Sequence, residues 1–124
     1  KAEIARVQRP HLDGRVTVLR LEGGVLREIA ALSGFSNHRL GTRALGLSAL
    51  IDLARAGRPQ IVAAGIADDC LHVLALEPSG LREIGSLSCG APFVGDFAVA
   101  DLDGDGRDDL AIARKQGRIE IFLR

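Results

Sequence analysis

The sequence predicts an all-β chain made of four-stranded antiparallel blades, about two and a half of them, as in a β-propeller. Three observations carry this prediction. Apolar and polar residues alternate over short runs, which is the period of a strand. Gly, Pro and Asp punctuate those runs. The runs also recur. Leu26-Arg27-Glu28-Ile29 returns as Leu81-Arg82-Glu83-Ile84, and Val18-Leu19-Arg20-Leu21 as Val73-Leu74-Ala75-Leu76. Asp52-Leu53 with Arg58-Pro59-Gln60-Ile61-Val62-Ala63 returns as Asp101-Leu102 with Arg107-Asp108-Asp109-Leu110-Ala111-Ile112. Short strands repeating every ~50 residues are the pattern of stacked propeller blades.

Taken in order, a strand over 2–7 comes first. Strands 15–21 and 25–31 follow, joined by Gly23-Gly24, a pair suited to a tight hairpin. Strands 45–53, 58–65, 70–76 and 81–87 make one whole blade, with Pro78-Ser79-Gly80 as its outer turn. Strands 94–102, 107–113 and 117–123 come last, the final two joined by Lys115-Gln116-Gly117. Ala2-Glu3-Ile4-Ala5 aligns with Pro59-Gln60-Ile61-Val62. Residues 1–31 therefore read as the last three strands of one blade, 45–87 as a full blade and 94–123 as the first three strands of another. Such a segment leaves strand edges and faces open, so the expected partners are the remaining blades or further copies of the chain.

The most informative local feature is Asp101-Leu102-Asp103-Gly104-Asp105-Gly106-Arg107-Asp108-Asp109. Asp101, Asp103, Asp105 and Asp109 fall at loop positions where side-chain oxygens surround a hard cation. Arg107 falls where a backbone carbonyl does so, and Gly106 sits at the sharp turn. These five residues are the candidate calcium ligands. The flanking period is that of strands, so the loop is expected to join two strands; Ile112 stands where a helical calcium loop carries its bidentate Glu. The absence of that Glu implies modest affinity, on the order of 10⁻⁴–10⁻³ M. The middle repeat keeps Asp52 and Gly57 but has Ala54, Ala56 and Gln60 in place of Asp103, Asp105 and Asp109. It is expected to keep the turn and to bind no calcium.

Phe93-Val94-Gly95-Asp96-Phe97-Ala98-Val99-Ala100-Asp101, running into the acidic loop and Leu110-Ala111-Ile112-Ala113, resembles an FG-GAP (VCBS-type) repeat. The resemblance is sharp over 93–123, weaker over 45–87 and confined to strand pattern over 1–31. It implies β-propeller blades with calcium between the first two strands, as in the heads of integrin α subunits and many bacterial secreted or surface proteins. It further implies an adhesion or protein-interaction module and an extracellular, periplasmic or cell-surface location. Some propellers of this kind are lyases or hydrolases, and a self-assembling lectin-like fragment is a further alternative.

Other features bound the function. Sixteen basic and 16 acidic residues give a formal net charge of +0, so no global field draws nucleic acid or an anionic membrane surface. No apolar run approaches the ~20 residues of a membrane-spanning helix. Neither nucleic-acid binding nor membrane insertion is expected. His11, His38 and His72 have no Cys or second His at metal spacing, and no nucleophile motif accompanies them, so no enzymatic activity is expected. A strict hairpin about Pro78-Ser79 sets Cys70 opposite residue 87, with Cys89 on the diagonal. Both a bridge and separate thiols are open, and separate thiols are the expectation. A glycan ligand has little aromatic surface to use: there is no Trp or Tyr, and Phe97 and Phe122 read as core. Phe35 lies in the longer inter-strand stretch Ser33–Thr42, the best place for a protein or glycan contact. Asp13 and Asp68-Asp69 read as solvated turn residues.

Overall fold

The computed structural model describes residues 2–43 and 45–123. Eleven strands run in chain order: β1 (Glu3–Gln8), β2 (Arg15–Glu22), β3 (Val25–Leu32), β4 (Phe35–Ser36), β5 (Ser48–Ile51), β6 (Gln60–Gly65), β7 (Cys70–Glu77), β8 (Gly80–Cys89), β9 (Ala98–Ala100), β10 (Asp109–Arg114) and β11 (Arg118–Phe122). They form three antiparallel sheets: β1-β2-β3, then β6-β7-β8 with β4 and β5 both on the inner edge of β6, then β9-β10-β11. The fold is all-β, of the propeller-blade type. Among the described residues no helix is long and apolar enough to cross a membrane.

The alternation seen in the sequence decides the packing. Ile61 and Ala63 point from β6 toward the first sheet, where they join Val16, Val18, Ala30, Phe35, Leu74 and Leu81. Val62 and Ala64 point the other way, toward Leu47, Ile51, Leu71, Val73, Phe93, Leu110 and Ile112. All six residues of β6 are buried. Each fully buried Val, Leu or Ile contributes about 1.5–3 kcal/mol, so the two clusters are the main force holding the three sheets face to face. Phe97 and Phe122 pack against the second cluster, as their strand positions predict. Phe35 does not offer its ring to a ligand: it is 5 % exposed and belongs to the core.

Two strands differ from the sequence reading. The runs 45–53 and 94–102 shorten to β5 and β9, each preceded by a separate short pairing. In the middle sheet, β4 pairs with Ala64-Gly65 and β5 with Gln60–Ala63, so the inner strand is in two pieces. The third sheet repeats this, with a Phe93–Arg114 bridge and then β9. The break in the third sheet falls at Gly95-Asp96, where Asp96 turns aside to accept a hydrogen bond from the Gly46 N–H at 2.9 Å. Phe97 N–H in turn donates to the Gly46 carbonyl at 2.8 Å. A Cβ on Gly46 would lie 2.7 Å from the Asp96 carboxyl carbon, so only glycine fits this crossing. The extra length seen in the sequence thus falls after β4 and before β5, along the inner edge of the middle sheet, and not between blades.

The cysteines also differ from the expectation: Cys70 and Cys89 form a disulfide, with Cα atoms 4.0 Å apart. The reason lies in two register shifts on β7–β8, at Leu71/His72 and Val73/Leu74. Each puts one extra residue into β8. Together they move Cys89 two places, from the diagonal to a position directly opposite Cys70. The β2–β3 hairpin has one such shift, between Val18 and Leu19, at the repeat position of Val73/Leu74.

Arg114 ends β10 and is 1 % exposed. Its guanidinium carbon stacks 4.3 Å from the Phe93 ring centroid. It donates from Nε to Glu120 at 2.9 Å, from Nη1 to the Asp69 and Ala91 carbonyls at 3.0 and 2.7 Å, and from Nη2 to Ser88 Oγ at 3.0 Å. Ser88 Oγ donates onward to Glu120 at 2.5 Å. That bond holds the Glu120 carboxyl below its ordinary pKa against the opposing effect of burial, with Arg114 and Arg118 adding to it. One buried cation therefore ties the third sheet to the middle one. Removing it strands several acceptors and a carboxylate, so Arg114→Ala should lower stability by about 3–5 kcal/mol, read by urea unfolding. A loss below about 1 kcal/mol would mean that the cage adds little to the junction.

Candidate metal centre

The acidic loop joins β9 to β10, as the sequence predicts. Its shape comes from Asp101. Oδ1 accepts the N–H groups of Gly104 and Asp105 at 2.7 and 3.1 Å, and Oδ2 accepts that of Gly106 at 2.9 Å. Asp103 Oδ1 takes Asp105 N–H, and Asp105 Oδ1 takes Arg107 N–H. Gly104 and Gly106 have φ of 81° and 83°, the left-handed backbone that glycine adopts at little cost. Asp109, at the start of β10, is fully buried and accepts the Leu102 N–H at 2.9 Å.

Carboxylate oxygens of Asp101, Asp103 and Asp109 all lie within 4.8 Å of one another. Oxygens sharing a calcium ion at roughly 2.4 Å can be no farther apart than about 4.8 Å. The donor set is hard oxygen, and Asp109 is a carboxylate removed from solvent, so these residues fit a hard divalent cation. Asp105 is not one of this trio. Its carboxylate caps Arg107 N–H and lies 4.0 Å from the Arg107 guanidinium. Of the five candidates, three converge, Asp105 turns aside in this geometry, and Arg107 is exposed with its side chain directed to Asp105.

The middle repeat supplies a control within the same chain. Asp52 accepts the Ala56 and Gly57 N–H groups at 3.0 and 2.6 Å, matching Asp101. Arg55 and Gly57 have φ of 56° and 68°, at the positions of Gly104 and Gly106. What differs is the filling. Gln60 replaces Asp109, accepts the Ala54 N–H through Oε1 at 3.3 Å, and donates through Nε2 to the Arg58 carbonyl at 2.7 Å. Arg58 is the repeat counterpart of Arg107. The carbonyl that would face a cation in the acidic loop thus faces an amide N–H in the middle one, and the loop closes on itself.

A second group, Asp68, Cys70 and His72, also gathers within 4.8 Å. It is no metal site, because the Cys70 sulfur is held in the disulfide. At the opposite end of the sheets from the acidic loop, His38, Arg39, Leu40 and Leu47 wall a cleft of about 240 Å³ with His11 and Ile66. The His11 and His38 rings meet edge to face at 4.6 Å. Asp68 and Asp69 are not merely solvated: Asp69 pairs with Arg39, and Asp68 with His72.

The acidic loop, its buried Asp109 and the strands on either side fall within one recognisable unit. Residues 89–119 match the family model of the FG-GAP repeat. That family match covers the end of β8, the broken inner strand, the acidic loop, β10 and the start of β11, so the candidate centre lies wholly inside the FG-GAP segment. No curated protein and no solved structure matches the chain. Sequence reasoning missed Arg114 and Glu120. The available signal was Arg114 standing at the repeat position of Gly65, a charge ending an apolar strand.

Gln60 is 7 % exposed and fills the middle loop. Gln60→Ala leaves a buried N–H and a carbonyl without their partner, and should cost about 1–3 kcal/mol in urea unfolding. An unchanged midpoint would show that the amide is not what closes the loop.

Proposed function

We propose that this chain is a non-enzymatic β-propeller segment, stabilised by calcium, that serves as a structural and interaction module of the adhesion type. The observation that carries this reading is the convergence of Asp101, Asp103 and Asp109 within the FG-GAP segment. Bound calcium would neutralise the acidic trio and fix β9 against β10. Asp101, Asp103 and Asp109 would hold it, with the Arg107 carbonyl, and Asp105 after a side-chain rotation, completing the oxygen shell. The modest affinity expected for such a loop suits a calcium-rich exterior. The Cys70–Cys89 bridge also suits an oxidising compartment, so the proposed location is extracellular, periplasmic or at the cell surface.

The sheets at either end support the propeller reading. Val62 and Ala64 are 0 % and 2 % exposed because the third sheet covers them. Their repeat counterparts on β10, Ala111 and Ala113, pair with Ile121 and Ile119 on a face where those two side chains are 55 % and 68 % exposed. On the first sheet, Ile4, Leu21 and Leu26 are about half exposed on the face turned from β6. Each end presents the kind of apolar face that the middle sheet buries, fit for further blades, whether from the same protein or from copies of this chain.

Calorimetric titration tests the metal. Calcium should bind the wild type with a Kd near 10⁻⁴–10⁻³ M, and Asp103→Ala and Asp109→Asn should abolish the heat. Equal heats in all three would remove the assignment. Sedimentation tests the faces. The isolated chain should associate as its concentration rises, and Ile119→Lys with Ile121→Lys should leave it monomeric; a monomeric wild type throughout would refute assembly by copies.

A further inference from the structure

We propose that His72 is a proton-operated latch on the loop of residues 66–69, and through that loop on the wall of the His11–His38 cleft. The geometry is specific. His72 Nδ1 lies 2.6 Å from Glu83 Oε1, and Nε2 lies 3.0 Å from Asp68 Oδ1. Both ring nitrogens thus face carboxylates. A neutral imidazole has one N–H and one lone pair, so it satisfies one carboxylate and turns a lone pair on the other. Only the imidazolium donates to both.

The charged groups acting on the ring are Asp68, from the loop between β6 and β7, and Glu83, from β8. β4 presents the uncharged Phe35 ring, nearly perpendicular to the imidazole with centroids 5.4 Å apart. β6 presents Gly65, where a Cβ would lie 2.0 Å from Asp68 Oδ1 and 2.8 Å from His72 Nε2. The His72 side chain is 14 % exposed, whereas the two acids are about half exposed. The acids can therefore turn to water when the ring loses its proton, and the ring cannot.

The released group would be Asp68, and its loop leads to the cleft. The adjacent Asp69 binds Arg39, and Gly65, Ile66 and Arg39 line the cleft wall. Ile66 N–H is fixed to the Gly34 carbonyl at 3.0 Å. The Cys70 N–H holds Asp68 Oδ1 at 3.1 Å in either state; the protonated ring adds a second hold on this turn, and the neutral ring gives that hold up.

The direction of the pH effect follows. Burial pushes the His72 pKa down, but the hydrogen bonds and charges of Glu83 and Asp68 outweigh it and hold the value above the ordinary 6.5. Burial likewise pushes Asp68 up, yet the His72 and Cys70 N–H bonds keep it below 3.8. The folded chain binds the His72 proton more tightly than the unfolded chain does. The stability this adds is complete below pH 6.5 and is lost as pH rises through the folded-state value. The Asp68 part is present above 3.8 and is lost as pH falls through its folded-state value.

The test is an NMR titration of the disulfide-intact chain between about pH 5 and pH 9, following the His72 imidazole and the Ile66 δ1 methyl. The expected result is a His72 midpoint above 6.5, the same midpoint in the Ile66 methyl, and a lower midpoint in Glu83→Gln and in Asp68→Asn. In urea unfolding, the wild-type unfolding constant should rise by up to tenfold per pH unit between the two midpoints, and His72→Gln should lose that part of the slope. A midpoint at or below 6.5, or an Ile66 methyl that does not follow His72, overturns the latch. So does a slope unchanged in His72→Gln. Where His72→Gln does not fold, Glu83→Gln at the half-exposed acid gives the same comparison.

Discussion

Burial of β6 on both faces is the constraint on which the rest of the structure depends. A strand of six residues in which Ile61 and Ala63 face one sheet, and Val62 and Ala64 the other, fixes three sheets in a stack. A slip of one residue would exchange those two sets and leave neither cluster filled. Every loop with candidate chemistry hangs from strands that this register positions. The acidic loop begins β10 because Leu110 and Ile112 are held against the middle sheet. The 66–69 turn lies where it does because Gly65 ends β6.

Polar contacts refine that stack. At the junction of the middle and third sheets, a cation that cannot titrate, Arg114, stacks on Phe93 and draws carbonyls from both sides. At the junction of the first and middle sheets the repeat counterpart of Arg114 is Gly65. The space beside Phe35 goes to His72 and Asp68 instead. Equivalent places in one repeat are thus filled by a permanent charge in one case and by an ionisable pair in the other. The first junction alone carries chemistry that responds to protons near neutrality.

Much of this was legible in the sequence. Alternation revealed the strands, the recurrences gave three sheets of related build, and the spacing of Asp101, Asp103 and Asp109 marked residues that the structure brings together. Three things were not legible, each for a physical reason. The β8 bulges leave Ile84 and Leu87 outside the paired register, and these two apolar residues read in sequence as ordinary strand positions, so the period alone could not show that Cys89 faces Cys70. The break in the inner strands depends on Asp96 reaching a backbone N–H fifty residues away, a contact with no local signature. Arg114 was hidden because, beside Glu120 and Ser88, it is held by main-chain carbonyls, and backbone acceptors carry no sequence identity.

Arg55 holds a left-handed backbone in the middle loop without a glycine and with only one carboxylate in place of the trio. The turn is therefore architecture that precedes any ion. A cation bound at the proposed centre would meet a main chain already bent by the Asp101 hydrogen bonds. Gain or loss of such a centre from blade to blade would need only exchanged side chains on a fixed main-chain path, which lets neighbouring repeats diverge in mineral content while sharing one geometry.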